Sequence, residues 1–287
     1  MVVKRMPQEE KNPILANEKT GKTKKRSGWV IALAVILILA LAGGYFLINS
    51  PPFRYKKAMK QRDSGNYEAL QADEREKLSS HPDPAQAALR TPRAVVSLGS
   101  FEQDDNAENG KERIEWVVLD VQDGRSLLIS KYALDCRPYN TDDRPDLTWE
   151  TCSLRKWMNE DFMREAFSGE EQKSILEITV SADRNPEYDT DPGKDTEDRI
   201  FLLSIPEAER YFDSDAAGQC IASPYALAKG CYADPRDGSC DWWLRSPGFN
   251  TALAAFVDSC GVVRYSGDAV VSAPFGVRPA LWISTEP

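Results

Sequence analysis

Histidine is almost missing from this 287-residue chain: His81 is the single one, and none follows it. Ser-His-Asp and Cys-His triads need an imidazole to take the nucleophile's proton, and most catalytic zinc sites use imidazole ligands. Residues 93–287 have nothing to run those chemistries on. Cysteine is absent before Cys136, so no thiol stands near the apolar run described below to carry a lipid anchor. No two cysteines are spaced C-x-x-C, which removes a zinc ribbon and a thioredoxin-like redox motif. Positive charge is scarce in the distal part: residues 93–287 hold 20 Lys and Arg against 36 Asp and Glu, a net of −16. That balance argues against nucleic acid or an anionic membrane surface as a partner; it suits a solvated surface, a cationic ligand or bound cations. Hydrolysis by paired carboxylates stays open, although no pair stands out.

One long apolar run is present. Residues 29–48 read WVIALAVILILALAGGYFLI without a charge. At about 1.5 Å per residue they span about 30 Å, the thickness of the hydrocarbon core. Residues 1–28 carry eight Lys and Arg against three Glu, a net of +5, so the positive-inside rule keeps them cytoplasmic and sends the C-terminus out. Cleavage after Ala40-Leu41-Ala42 is the alternative, but the apolar run continues to Ile48. Either way the rest of the chain is exported.

The expected order is a basic tail (1–28), a transmembrane helix (29–49), a helical stalk and linker (50–92) and an extracellular α+β domain (93–287). The stalk sequence YKKAMKQRDSGNYEAL has the pattern of a helical hairpin, and the prolines at 82, 84 and 92 interrupt it. In the domain, residues 114–121 and 126–130 read as two strands joined at Gln122-Asp123-Gly124. Ser153 is placed to cap a helix over 154–167, with Leu154, Trp157, Met158, Phe162 and Phe167 on its buried face. Residues 200–204 read as a strand, followed by a helix capped by Ser204 with Pro206 in its first turn. Short strands over 242–245, 253–258, 261–265 and 277–283 close the chain. Helices early and strands late make an α+β class.

Six cysteines outside the cell permit three disulfides. Candidate pairs are Cys136 with Cys152, across an intervening loop, and Cys240 with Cys260, flanking a hairpin. The loop 189–198 is acidic around Gly193, but its spacing is not that of an EF-hand, and it reads as a solvated turn. No motif calls for a cofactor or a metal.

The ending is the most specific feature: DWWLRSPG at 241–248 and GVRPALWI at 276–283 bracket a strand-rich stretch. With SLGSF at 97–101, Glu115-Trp116, LRKW at 154–157 and IFLLS at 200–204, they form a pattern over residues 94–285. That pattern resembles a family of uncharacterised bacterial domains found in exported or anchored proteins of Gram-positive anaerobes. The family has no assigned activity. The Trp-rich segment, the antiparallel strands and the Gly-x-Arg-Pro close are also similar to C-type lectin-like domains. These include the formylglycine-generating-enzyme type and the receptors diversified by retroelements. The likeness implies that loops within 249–275 present a binding surface. The formylglycine-generating oxidases hold copper with a close pair of cysteines near this ending, and Cys240 and Cys260 do not match that arrangement.

Phe249, Asn250, Arg264, Tyr265, Asp268 and Phe275 stand on or near the turns of that stretch and are the ligand candidates, together with Arg245. Arg245 and Arg278 also suit structural roles, because a planar guanidinium can satisfy carboxylates and carbonyls. Trp242, Trp243, Leu281 and Trp282 read as core. The expected function is a membrane-anchored extracellular module that binds a glycan, a peptide or a surface protein. The alternatives are a cell-surface enzyme using carboxylates or a cysteine, and a structural or sensory ectodomain acting through a membrane partner.

Overall fold

Residues 84–285 are described by the computed structural model, apart from 145 and 273. The expected tail, the span at 29–49 and the stalk up to residue 83 lie outside the described residues. Among the described residues, no helix is long and apolar enough to cross a membrane.

The first described element is a helix, α1 (Pro84–Leu89). From the sequence, Pro84 is expected to break the stalk and the domain to begin at 93. Proline is tolerated in the first turn of a helix, where its missing N–H has no partner to lose. Leu89 and Ala88 pack against the core. Ser126 Oγ donates to the Leu89 carbonyl at 2.6 Å, and Arg90 Nη2 donates to the Thr285 carbonyl at 2.6 Å. Residues 84–92 are therefore part of the folded domain.

Three strands follow: β1 (Val95–Phe101), β2 (Glu112–Gln122) and β3 (Arg125–Ser130). β2 and β3 meet at the expected turn, where Asp123 (φ 45°) and Gly124 (φ 73°) adopt the left-handed conformations of a two-residue hairpin. Two short strands, β4 (Tyr132–Ala133) and β5 (Asp135–Cys136), precede the helical segment. That segment is α2 (Ser153–Trp157), a π-helical turn (Met158–Phe162) and α3 (Met163–Ala166). Its cap is Cys152, whose sulfur accepts the Arg155 amide at 3.4 Å, one residue before the expected cap. Ser153 Oγ is taken by the Thr141 amide at 3.0 Å. Asn159 in the π turn donates to the Ile200 carbonyl at 2.8 Å and accepts the Arg199 amide at 2.9 Å. The helix thus carries a side-chain clamp on the backbone of a later strand.

Next come α4 (Gly169–Ser174), β6 (Ile178–Val180), β7 (Thr196–Asp198) and β8 (Ile200–Phe201). Ser204 caps α5 (Ile205–Tyr211) in a reciprocal box with Glu207, with Pro206 in the first turn. α6 (Asp215–Gly218), β9 (Cys220–Ala222), α7 (Pro224–Ala228) and β10 (Ser239–Cys240) lead to β11 (Trp242–Pro247). The chain ends through β12 (Leu253–Val257), β13 (Val263–Ala269), β14 (Gly276–Val277) and β15 (Ala280–Ser284).

Two five-stranded sheets organise these elements. The first has the order β1-β2-β3-β15-β8, with the closing strand antiparallel to both β3 and β8. The second has the order β13-β12-β11-β14-β5 and is antiparallel except between β11 and β14. A three-stranded sheet (β10-β9-β4) and the pair β6-β7 complete the set. The class is α+β. Trp116, Trp242 and Trp243 are fully buried. Each indole N–H finds a carbonyl: Leu98 at 2.7 Å, Gly218 at 3.1 Å and Arg137 at 2.9 Å respectively. Burying these large rings leaves no donor unpaired.

Glu171 ties α4 to the first sheet. It accepts the Ser168 amide at 2.9 Å, the Gly99 amide at 2.9 Å and Arg113 Nη1 at 3.0 Å. Partial burial pushes its pKa up, but the Ser168 and Gly99 amides and the Arg113 guanidinium outweigh that and bring it down to about 2, from an ordinary 4.5. A carboxylate held below its unfolded value stabilises the fold above that value and ceases to as pH falls through the folded one. Stability is therefore expected to fall more steeply with acid in the native chain than in Glu171→Gln, over the window from about 4.5 to about 2. Urea unfolding across that window reads the difference, and equal slopes would refute the role.

Candidate functional site

The seven residues expected to contact a ligand do not form one surface. Arg245 is buried on β11, with its side chain 2% exposed. Its guanidinium pairs with the Glu207 carboxylate, reaches Asp183 at 3.1 Å, and donates to the carbonyls of Leu202 at 2.9 Å and Ser181 at 3.2 Å. Phe275 is also buried, stacked on Trp243 at 3.9 Å and edge-on to Phe256 at 4.9 Å. Both belong to the interior: Arg245 lies on the fully buried strand β11, and Phe275 is packed between Trp243 and Phe256.

The other five stand at the surface, on different faces. Phe249 is 60% exposed and meets Tyr188 edge-on at 5.2 Å. Asn250 shapes its own turn by accepting the Ala252 amide at 2.9 Å. Asp268 accepts the Ala269 amide at 2.6 Å and Ser272 Oγ at 3.0 Å. Arg264 is held by Asp258, at 2.7 Å from Nε and 2.5 Å from Nη2. Tyr265, the next residue along β13, projects to the opposite side of the strand.

Tyr265 opens onto a groove of about 340 Å³ between α5, the segment leading into α6, and the β12–β13 hairpin. Ala208, Phe212, Val257, Val262 and Val263 supply its apolar lining, and Glu209, Asp213 and Asp215 its carboxylates. No Lys or Arg lines it. The volume is that of a small-ligand or side-chain site. Glu209 and Phe212 are three apart at the end of α5 and so share a face. Phe212 rests edge-on against Trp242, with ring centres 6.0 Å apart. The Tyr265 hydroxyl donates to the Glu209 carboxylate. That bond, with burial adding to it, lifts the phenol to about 12, so the ring keeps its proton. At the groove's end the turn into β13 lies directly on α6. Gly261 has φ +88°, and a Cβ there would stand 1.7 Å from the Asp215 carbonyl oxygen. Any side chain would push the rim apart.

A second groove of about 470 Å³ lies beside β6 and contains Glu177, Glu207, Phe201, Trp282 and Arg125. Several of its charged and aromatic groups already have partners. Glu207 holds Arg245 and accepts the Ser204 amide at 2.9 Å, and the Arg125 guanidinium covers the Trp282 ring at 4.7 Å.

The expected disulfides are not formed: no disulfide is present among the described residues, which include all six cysteines. Cys240 is fully buried against Cys220 and Cys231, while Cys260 is exposed on a turn. Cys136 faces Cys231, whereas Cys152 is enclosed beside Tyr139. The sheet register, which spacing does not reveal, points these sulfurs away from the expected partners. The acidic loop at 189–198 is pinned rather than loose: Thr190 Oγ1 donates to the Gly248 carbonyl at 2.9 Å, and Asp198 is buried against Trp149 and Arg155.

A family described as a domain of unknown function, DUF6273, matches residues 123–285, more than half of the chain. The chain belongs to this family. The match begins inside the first sheet, at the β2–β3 turn, so α1, β1 and β2 all precede it. No curated protein and no solved structure matches the chain.

The burial of Arg245 makes a direct prediction. Arg245→Met leaves Glu207 and Asp183 facing the interior without a cation. Breaking a buried pair from one side costs about 3–5 kcal/mol, and the lower end applies because the two carboxylates keep 29% and 28% of their side-chain surface. Phe249→Ala is expected to change stability by less than about 0.5 kcal/mol. Urea midpoints of the two variants test this; a native midpoint for Arg245→Met would refute the structural role.

Proposed function

We propose that this chain is a membrane-anchored binding module, exported beyond the membrane, and that its groove takes a cationic ligand with an apolar stem. The class is a lysine or arginine side chain of a peptide or surface protein. The observation that carries the reading is the lining of the groove: three carboxylates, a phenol and an aromatic ring around an apolar floor, with no cationic residue among them. The neighbouring acids cannot all be neutralised from within. Arg93 stands 3.9 Å from Asp213, but both side chains are well exposed, so that pair is weak. An incoming cation would gain the attraction of the carboxylates and pass its stem over Val263, and the face of Tyr265 favours a positive charge as well; the Phe212 ring is already covered by the Arg278 guanidinium, 5.3 Å from its centre.

Export rests on the apolar run and the charge split between tail and domain. The sheet arrangement supports a C-type lectin-like reading in one respect. The closing strand, which follows Gly276-Val277-Arg278-Pro279, returns to the sheet that holds the first strand. In such domains the loops between those ends carry the binding surface, and here the groove is formed in part by the β12–β13 hairpin.

The test uses the full-length chain in detergent, titrated with an acetylated tetralysine amide and, separately, with its tetraglutamine counterpart. Saturable binding of the lysine peptide is expected, weakening with salt over a Debye length of about 8 Å at physiological ionic strength. Glu209→Gln combined with Asp215→Asn is expected to weaken it at least ten-fold, and the glutamine peptide should not bind. Equal affinity in the double variant would overturn the assignment of the groove.

A further inference from the structure

Four of the six cysteines meet in the interior, away from the groove. Cys220 and Cys240 are directly opposed across the antiparallel pair β9–β10. Cys136 ends β5 and is paired with Gly276 on β14. A Cβ on Gly276 would stand 3.2 Å from Cys240 Sγ, so the bare glycine makes room for that sulfur. Cys231 follows α7 and is fixed by its backbone N–H, which donates to the Ala226 carbonyl at 3.0 Å. Its thiol is in hydrogen-bond contact with those of Cys136 and Cys240, and Cys240 in turn with Cys220. The sulfur contacts therefore run in a line, 136–231–240–220.

A thiolate zinc site would need a tetrahedron, with all four sulfurs about equally close. Among the described residues, the one trio of potential ligand atoms all within 4.8 Å of one another is Glu102, Asp104 and Glu112. The sulfurs form a line instead. Four cysteines have three possible pairings. One of them uses contacts already made and leaves no thiol over: Cys136 with Cys231, and Cys220 with Cys240.

We propose that these four residues are a thiol relay that takes up the disulfides Cys136–Cys231 and Cys220–Cys240, with oxidation beginning at Cys231 and passing inward through Cys240. The outer pair keeps a little surface, 7% for Cys136 and 6% for Cys231, whereas Cys220 and Cys240 have 1% and 0%. Cys231 is the outer residue that also meets Cys240, and so the one that can pass oxidation inward. The Cys136 and Cys240 thiols donate toward its sulfur and hold its pKa below the ordinary thiol value, against the opposing effect of burial, while Cys240 is pushed well up by its sulfur neighbours and burial.

The oxidant is a disulfide, for which oxidised glutathione serves in vitro. The Cys231 thiolate attacks one glutathione sulfur, breaks the S–S bond and releases a glutathione thiolate. Cys136 attacks the mixed disulfide and expels the second glutathione, and the two released thiolates take up the protons lost by Cys136 and Cys231. Cys240 then attacks Cys231 and frees Cys136. Cys220 attacks Cys240 and frees Cys231, so the inner disulfide is complete and the outer pair is again two thiols. A second oxidised glutathione closes the outer pair. Four thiols and two oxidised glutathiones become two protein disulfides and four reduced glutathiones.

The experiment takes the reduced full-length chain, adds oxidised glutathione, quenches with acid at intervals, alkylates and maps the linked peptides. The native chain should show Cys136–Cys231 first and Cys220–Cys240 later, with Cys152 and Cys260 unlinked. In Cys231→Ser the inner disulfide should form at least ten-fold more slowly, and Cys260→Ser should leave both rates unchanged. If Cys231→Ser does not fold, the order of appearance in the native chain decides alone. Links from Cys136 to Cys152 or from Cys240 to Cys260, simultaneous appearance of the two disulfides, an unchanged inner rate in Cys231→Ser, or one bound zinc shielding the four thiols would each overturn the relay.

Discussion

The buried guanidinium of Arg245 joins the parts of this domain. Its β11 strand belongs to the second sheet, yet its amide donates to the Leu203 carbonyl at 2.9 Å, at the end of the first. Its side chain reaches the cap of α5 through Glu207 and the loop after β6 through Asp183 and Ser181. Its carbonyl accepts the Tyr139 hydroxyl at 2.9 Å. Arginine alone offers this many donors in a planar fork, so lysine could not satisfy the same set. Tyr139 and Trp243 then meet edge-on beside the joint, with ring centres 5.8 Å apart. A charge this deep is tolerable only because every side of it is answered.

The groove depends on that joint. Glu207 serves twice, as the reciprocal partner in the α5 cap and as the counterion of Arg245. The helix is thereby fixed at its first turn, and its last turn carries Glu209 and leads to Phe212 on the groove side. Phe212 is in turn buttressed by Trp242, which neighbours Trp243 on the same strand as Arg245. The carboxylates of the groove therefore sit on elements positioned by a different set of carboxylates, which Arg245 holds. Within one acidic domain some acids thus serve the structure, while those of the groove have no cation among its lining.

Much of the local structure was legible in the sequence, because it follows from short-range chemistry. The Asp123-Gly124 turn, the Ser204 cap and most of the buried face of the helix beginning at Ser153 needed only turn propensity, capping and period; Trp157 of that face is only half-buried. The cap at Cys152 was not legible, since sulfur is a rare acceptor there and Ser153 looked like the better one. The α1 helix was missed because prolines on both sides read as breaks, although Pro84 suits a first turn. The candidate site was less legible. Tyr265 was found from its place on a turn-rich stretch, but Phe275 and Arg245 were drawn from the same stretch and lie inside. Glu209, Phe212, Asp213 and Asp215 stand in the run EAERYFDSD, where helical spacing places Glu209 beside Phe212. That signal existed, but it takes on meaning only once the β12–β13 hairpin is known to pack opposite.

The groove and the thiol line meet along one short stretch of chain. Asp215 is in the groove's rim, Gly218 accepts the Trp242 indole N–H, and Cys220 is the inner end of the sulfur line, all within six residues. Gly218 and Gly261 back against each other so closely that a Cβ on Gly218 would be 2.6 Å from the Gly261 carbonyl oxygen. The rim thus has no slack to absorb movement of β9. A covalent bond between Cys220 and Cys240 would tie β9 to β10, which runs directly into the Trp242 strand, and so would restrain the short run that links Cys220 to Asp215.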